Sequence, residues 1–331
     1  MSTSSQQPPQ AGFQAQISPQ ASKPQASKIV FEPGGYARFS GTTVPEAARL
    51  QSLVRVFIAE LFQTTRAKLT VALFALPPLG CAVYAVVRTQ FEVLALPKEQ
   101  HATSDVDLIG WVFAFNCAFL LQRVASHVAP QIARDAHQGA LLLYFSRPVL
   151  PSHYLFARLA AVFLSSWVLM AVPPLLLIAV LASQHGLQPG GCPWQGWLGG
   201  LWWLALALAA IVGSAGMSIA TALTALAAGV LVRNPSAAPL AFGGGVLGSI
   251  AASWVLQAAW GKDTVARALD LHQALRGLWT LPSWLLDPGK PPLLNFQTAA
   301  GGMLVWLLLS GLAWWALQRF LANPPLGKGR A

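Results

Sequence analysis

Acidic side chains are scarce in this chain: 11 Asp and Glu stand against 21 Lys and Arg in 331 residues, and charged residues make up only 10%, against roughly 25% in an average soluble domain. Too few charges remain to cover the surface of an ordinary water-soluble protein. Cysteine is limited to Cys81, Cys117 and Cys192, too far apart to read as a disulfide framework or a metal cluster. With 4 Met and no His or Cys cluster, a dedicated metal pathway has no support. A phosphate-cradling GxxxxGK[ST] loop is missing, because Gly-Lys occurs only as Gly261-Lys262, Gly289-Lys290 and Gly327-Lys328, none followed by Ser or Thr. The chain therefore cannot hydrolyse ATP by that route alone. No His is followed by Glu, which excludes HExxH, and Val212-Gly213-Ser214-Ala215-Gly216 lacks the first glycine of a serine elbow.

What is abundant is apolar: 55% of residues are hydrophobic and the mean hydropathy is +0.53. Six runs, at about 69 to 88, 108 to 129, 154 to 182, 197 to 231, 238 to 258 and 298 to 320, are long enough to cross a hydrocarbon core roughly 30 Å thick as helices. None contains Asp or Glu, which argues against an intramembrane aspartyl protease and against ion coupling through a buried carboxylate. The net charge of +10 raises nucleic acid as a partner. The basic residues flank apolar spans and form no dense run, so a lipid bilayer explains them better.

Residues 1 to 44, rich in Ser, Gln, Pro and Ala, read as a disordered tail. They do not read as a signal peptide, because no apolar core follows a basic start in the first 30 residues. From 46 to 66 the apolar residues Leu50, Leu53, Val54, Phe57, Ile58 and Leu61 recur at helical spacing, with Arg49, Arg55 and Arg66 on the other side. That pattern fits a helix lying in the membrane interface, or a soluble helix on a domain this chain does not contain. The transmembrane domain is expected over 45 to 322, with a loop at 130 to 153, an outer segment at 259 to 297 and a short cytoplasmic end at 323 to 331. With the N-terminus inside, 15 of the 21 basic residues fall on inner segments, which puts both termini in the cytoplasm. The outer segment, with Trp279 and Trp284, is expected on the membrane surface as short helices with aromatic rings at headgroup depth.

Small residues recur every four positions, as Ala210, Ser214, Ser218 and Ala222 in the fourth span and Gly244, Gly248 and Ala252 in the fifth. Such stripes let helix backbones approach closely, within one subunit or between two. In the second span Asn116, Arg123 and His127 fall within about 40° of one helical face. They line a cavity, or the two basic groups snorkel to headgroups.

The segment after the second span contains Asp135, Gly139, Leu141, Ser146, Arg147, Pro148, Tyr154 and Arg158. It reads as a short helix and turn, with apolar positions at Ile132, Leu141, Leu142 and Phe145 and with Pro148 and Pro151 as stops. Such a helix can pass motion from a soluble partner into the membrane, or serve as a plain connector. These eight residues match, in order, the loop of the ABC-2 type permeases, membrane subunits of ATP-binding-cassette transporters. The chain resembles that family over about 46 to 320, including Glu60 and Arg66 on the interfacial helix and a polar break at Arg233-Asn234-Pro235. It departs at Leu150-Pro151, where relatives carry a polar or basic pair.

The resemblance implies an all-α membrane protein of six transmembrane helices with an N-terminal interfacial amphipathic helix. It further implies an ATPase-coupling loop at 130 to 153, a separate ATPase subunit that binds ATP and Mg, a second permease subunit in a homo- or heterodimer, and residence in a bacterial inner membrane. The expected function is that of a non-catalytic permease subunit, in an exporter. The alternative is a membrane scaffold or immunity-type protein of the same fold that moves no cargo. An enzyme is the weakest reading, because paired catalytic residues are missing.

Overall fold

The computed structural model describes residues 45–93, 105–141, 150–185, 197–260, 267, 269–286 and 296–322. All but Pro45 belong to the second of the chain's two units, Glu46–Ala331. The described residues form helices and turns, with no strand among them. In order they are α1 (Glu46–Phe62), α2 (Thr65–Leu73), α3 (Leu76–Val93), α4 (Asp105–Arg123), a π-helical turn (Val124–Val128), α5 (Ala129–His137), α6 (Pro151–His185), α7 (Trp197–Val232), α8 (Ala238–Trp260), α9 (Leu271–Leu286) and α10 (Phe296–Ala322). Six helical stretches are long and apolar enough to cross a membrane: Thr65–Val87, Asp105–His137, Pro151–Gln184, Gly199–Val232, Ala238–Ala259 and Ala300–Phe320. This is the architecture of a multi-pass membrane protein.

The helix expected over 46 to 66 stops at Phe62, because Thr64 caps a new helix by accepting the amide N–H of Ala67 at 3.1 Å. Arg66 therefore stands at the start of the first span. That span is itself interrupted at Phe74 and Ala75. Pro77 and Pro78 have no N–H to donate to the carbonyls of Leu73 and Phe74, so the chain tightens there before α3 begins. Pro173 and Pro174 leave α6 continuous over 35 residues. Membrane helices tolerate proline where neighbours support the freed carbonyls, and α6 packs along α7 for much of its length.

α7 is the axis of the bundle and touches α5, α6, α8, α9 and α10. Its small-residue stripe, Ala210, Ser214, Ser218 and Ala222, is fully buried, so this stripe packs within the subunit. Polar side chains survive there by bonding their own helix: Ser214 donates to the Ala210 carbonyl at 2.7 Å and Thr221 to that of Met217 at 2.8 Å. The second stripe is exposed at Gly244, Gly248 and Ala252. α7 ends at Val232, Arg233 after it stands in the left-handed region at φ 54°, and Pro235 prevents continuation of the helix.

The segment after α8 departs from expectation. Surface helices at headgroup depth were expected between 259 and 297, but α9 is seated inside the bundle. The Leu271 N–H donates to Ser249 Oγ at 3.1 Å, halfway along α8. Trp306 Nε1 donates to the Leu271 carbonyl at 3.0 Å, His272 Nε2 lies 3.3 Å from the Ala114 carbonyl, and Trp279 stacks on Phe113 at 4.5 Å. Gly302 admits this insertion, since a Cβ there would sit 2.5 Å from Ala274 Cα. Asp270 caps α9, accepting the N–H of His272 at 2.9 Å and of Gln273 at 3.2 Å. Asp270 is thereby a buried carboxylate packed against the spanning helices.

Candidate functional site

The loop helix is not a separate element after the second span. α4, the π-helical turn and α5 form one helical rod of 33 residues, Asp105–His137. The turn has a local cause. Pro130 cannot donate to the Ser126 carbonyl, and the helix widens just before it so that the Ala129 N–H reaches back to Val124. The Ser126 hydroxyl donates to the Gln122 carbonyl at 2.8 Å. α5 ends at His137, and Gly139 takes φ +71° to turn the chain, a conformation that favours glycine. Gly229 of α7 lies directly beneath the turn, where a Cβ would fall 2.3 Å from the Ala129 carbonyl oxygen.

Where α5 meets the start of α6, four polar residues converge. Arg158 is buried. Its Nη1 donates to Glu60 Oε2 at 2.7 Å and its Nη2 to Asp135 Oδ2 at 2.6 Å. The Tyr154 hydroxyl donates to the same Asp135 oxygen. The guanidinium lies 3.8 Å over the ring centroid of Phe57, and Phe57 meets Tyr154 edge-on at 5.7 Å. One arginine thereby binds α1, α5 and α6 together. Nearby, His153 Nε2 lies 2.7 Å from Glu46 Oε1, a second link between α1 and α6.

Of the residues singled out in the loop, Asp135, Tyr154 and Arg158 come together, Gly139 makes the turn and Leu141 is buried. Ser146, Arg147 and Pro148 lie outside the described residues. Glu60 completes the junction. Its sequence signal is position: it falls three residues after Phe57 and one before Leu61, on the apolar side of α1, where a carboxylate needs a buried partner.

The stripe on the second span lies on the packed side of the rod. Asn116 and Arg123 are fully buried and His127 is half-buried. A groove of about 430 Å³ opens on a different face of the same helix, lined by Ala118, Leu121, Gln122 and Ala125 against Gly243 and Val246 of α8, with His272 at one end. A second groove, of about 370 Å³, runs between α3 and α6 and brings Pro78 opposite Pro173. None of Asn116, Arg123 and His127 lines either groove. Among the described residues no three His, Cys, Asp or Glu side chains are grouped to hold a metal. The junction at Arg158 offers no nucleophile paired with a base. It ties α1, α5 and α6 together.

A scan of protein-family models finds none that matches this chain, and a search of curated proteins finds no match either.

Proposed function

We propose that this chain is the membrane-spanning permease subunit of an ATP-driven exporter, worked by a separate ATPase that docks on the 130 to 153 loop. The observation that carries the reading is the Arg158 junction. A soluble motor that pushes on α5 delivers useful work only if α5 is fixed to a span. Arg158 fixes it through Asp135, and through Glu60 it adds the helix that precedes the first span. Hydrogen-bonded ion pairs in a buried setting hold geometry under load better than apolar contacts, which slide. The order of Asp135, Gly139, Leu141, Tyr154 and Arg158 supports the same reading through its resemblance to ABC-2 permeases. ATP and Mg belong to the partner in this scheme. The basic bias toward inner segments supports a bacterial inner membrane with both termini in the cytoplasm.

The test is reconstitution of the full chain in proteoliposomes with a candidate nucleotide-binding subunit captured by co-purification with it. Hydrolysis of Mg-ATP should depend on the chain, and Gly139→Trp should abolish that dependence while the chain remains folded in the membrane. Failure of the two subunits to form a complex, or hydrolysis indifferent to Gly139→Trp, would overturn the proposal.

A further inference from the structure

Two spans end in arginines that line a single cavity. The fourth span, Gly199–Val232, stops where α7 does, so Arg233 is the first residue beyond it; Arg319 is the last residue but one of the sixth span, Ala300–Phe320. Both line a cavity of about 430 Å³ between the ends of α7 and α10, with Leu231, Trp315 and Phe320 among its apolar walls. A cavity shared by these ends puts them on one face of the membrane, at the depth of the headgroups. Among the described residues no carboxylate lines the cavity, and neither arginine forms an ion pair. The Arg319 guanidinium lies 5.5 Å from the Trp315 ring centroid, and both arginines are exposed.

The turn after α7 does not itself call for an arginine. Among the described residues Arg233 is the one non-glycine at positive φ, 54°, a conformation that glycine or asparagine adopts at lower cost. Its neighbours make the turn: the Ser236 N–H donates to Asn234 Oδ1 at 2.9 Å and the Ala238 N–H to the Asn234 carbonyl at 2.9 Å. What the arginine adds is a second cation on the cavity wall. Two cations around one cavity repel, and an anion between them removes that cost. The planar guanidinium fork fits phosphate oxygens in pairs. We infer that the cavity holds the headgroup of an anionic phospholipid, its phosphate between Arg233 and Arg319 and its acyl chains against Trp315 and Leu231. A soluble phosphate would leave those two side chains, 57% and 69% exposed, uncovered, whereas a lipid satisfies both halves of the lining. Basic pockets between spans at this depth suit such headgroups, and tryptophan favours the same level. This inference does not depend on transport.

The experiment measures binding to the purified full chain by native mass spectrometry and by its thermal unfolding midpoint. The probes are phosphatidylglycerol, phosphatidylcholine and inorganic phosphate. One phosphatidylglycerol per chain should stay bound through delipidation and raise the midpoint, whereas phosphatidylcholine should do neither. Arg233→Gly suits the left-handed turn, so without added lipid the midpoint in zwitterionic detergent should hold or rise, while phosphatidylglycerol binding weakens about tenfold. Arg319→Gln should weaken it by a similar factor, and the double variant should bind phosphatidylglycerol no better than phosphatidylcholine. Inorganic phosphate at millimolar levels should not displace the lipid; displacement would assign the cavity to a soluble phosphate compound and overturn the lipid. Equal binding of the two lipids, or unaltered binding of phosphatidylglycerol in both single variants, would reduce the arginines to offsetting the negative ends of their own helices and would overturn the site.

Discussion

Arg158 and Arg123 are both buried, both stand at the loop-helix end of the bundle, and both lie over a phenylalanine of α1. Arg158 has two carboxylates within 2.7 Å; Arg123 stacks on Phe62 and has no hydrogen-bond partner among the described residues. Burial is therefore a poor guide to what an arginine does. The paired one fastens three helices to each other through both of its terminal nitrogens. The unpartnered one carries the cost of a buried charge with only a ring contact to offset it.

The largest effect expected from breaking this contrast is at Arg158. Arg158→Met leaves the buried Asp135 carboxylate without its counter-charge, with only the Tyr154 hydroxyl as partner, and should cost about 3–5 kcal/mol, read as a lowered unfolding midpoint in detergent. Arg158→Met combined with Asp135→Leu should recover at least half of that loss, because removing both charges is far cheaper than removing one. Equal losses in the single and double variants would show that the pair is not coupled. Truncation of Arg123 to leucine in zwitterionic detergent should carry the opposite sign and raise the midpoint.

A smaller effect follows from Gly229→Ala. The new methyl group meets the Ala129 carbonyl and must push α5 away from α7, at about 1–3 kcal/mol. If α5 moves, Asp135 loses its register with Arg158, so Asp135→Asn should cost less in the Gly229→Ala background than in the original chain. Additive costs would place the strain elsewhere. Next comes Gly139→Ala, whose left-handed turn should cost about 1–2 kcal/mol. Gly139→Asn should cost less, since asparagine tolerates that region. The smallest change is Glu60→Gln. The Glu60 side chain keeps 31% of its surface exposed, so its share of the junction is screened and should fall below about 1 kcal/mol, diminishing further as salt is raised.

The spans were legible because uninterrupted apolar runs admit few other readings, and the break at Arg233 was legible from its polar residues and proline; the break at Thr64 was not, because the apolar periodicity of the helix before it runs on toward Arg66. Asp135, Tyr154 and Arg158 were legible through a resemblance, but their convergence was not, since it depends on the angle at which α5 leaves the second span. That angle is set by five residues of π-helix before Pro130, too few to register as a change of period. The placement of α9 was hidden for a different reason. Leu271, Leu275, Leu278 and Trp279 make a helix apolar on one side, as an interfacial helix is. What distinguishes a protein groove from a lipid surface is Gly302 on α10 and Gly213 on α7, where a Cβ would approach Ala274 and Leu278. The receiving surface lies on other segments of the chain, so no window around α9 reveals it.

The seat of α9 also constrains the order in which the molecule is made. Its first residue is held by Ser249 at the midpoint of α8 and by Trp306 of α10, and its N-terminal amides are closed by a carboxylate, Asp270, that no isolated helix would carry into hydrocarbon. α9 therefore has no stable position until α4, α7, α8 and α10 have been threaded and have closed around a slot of the right width. Its docking is expected to come last. A chain stalled before that step would display six threaded helices and an amphipathic segment open to proteolysis, so the appearance of protease resistance around His272 during synthesis marks the moment the bundle becomes a single body.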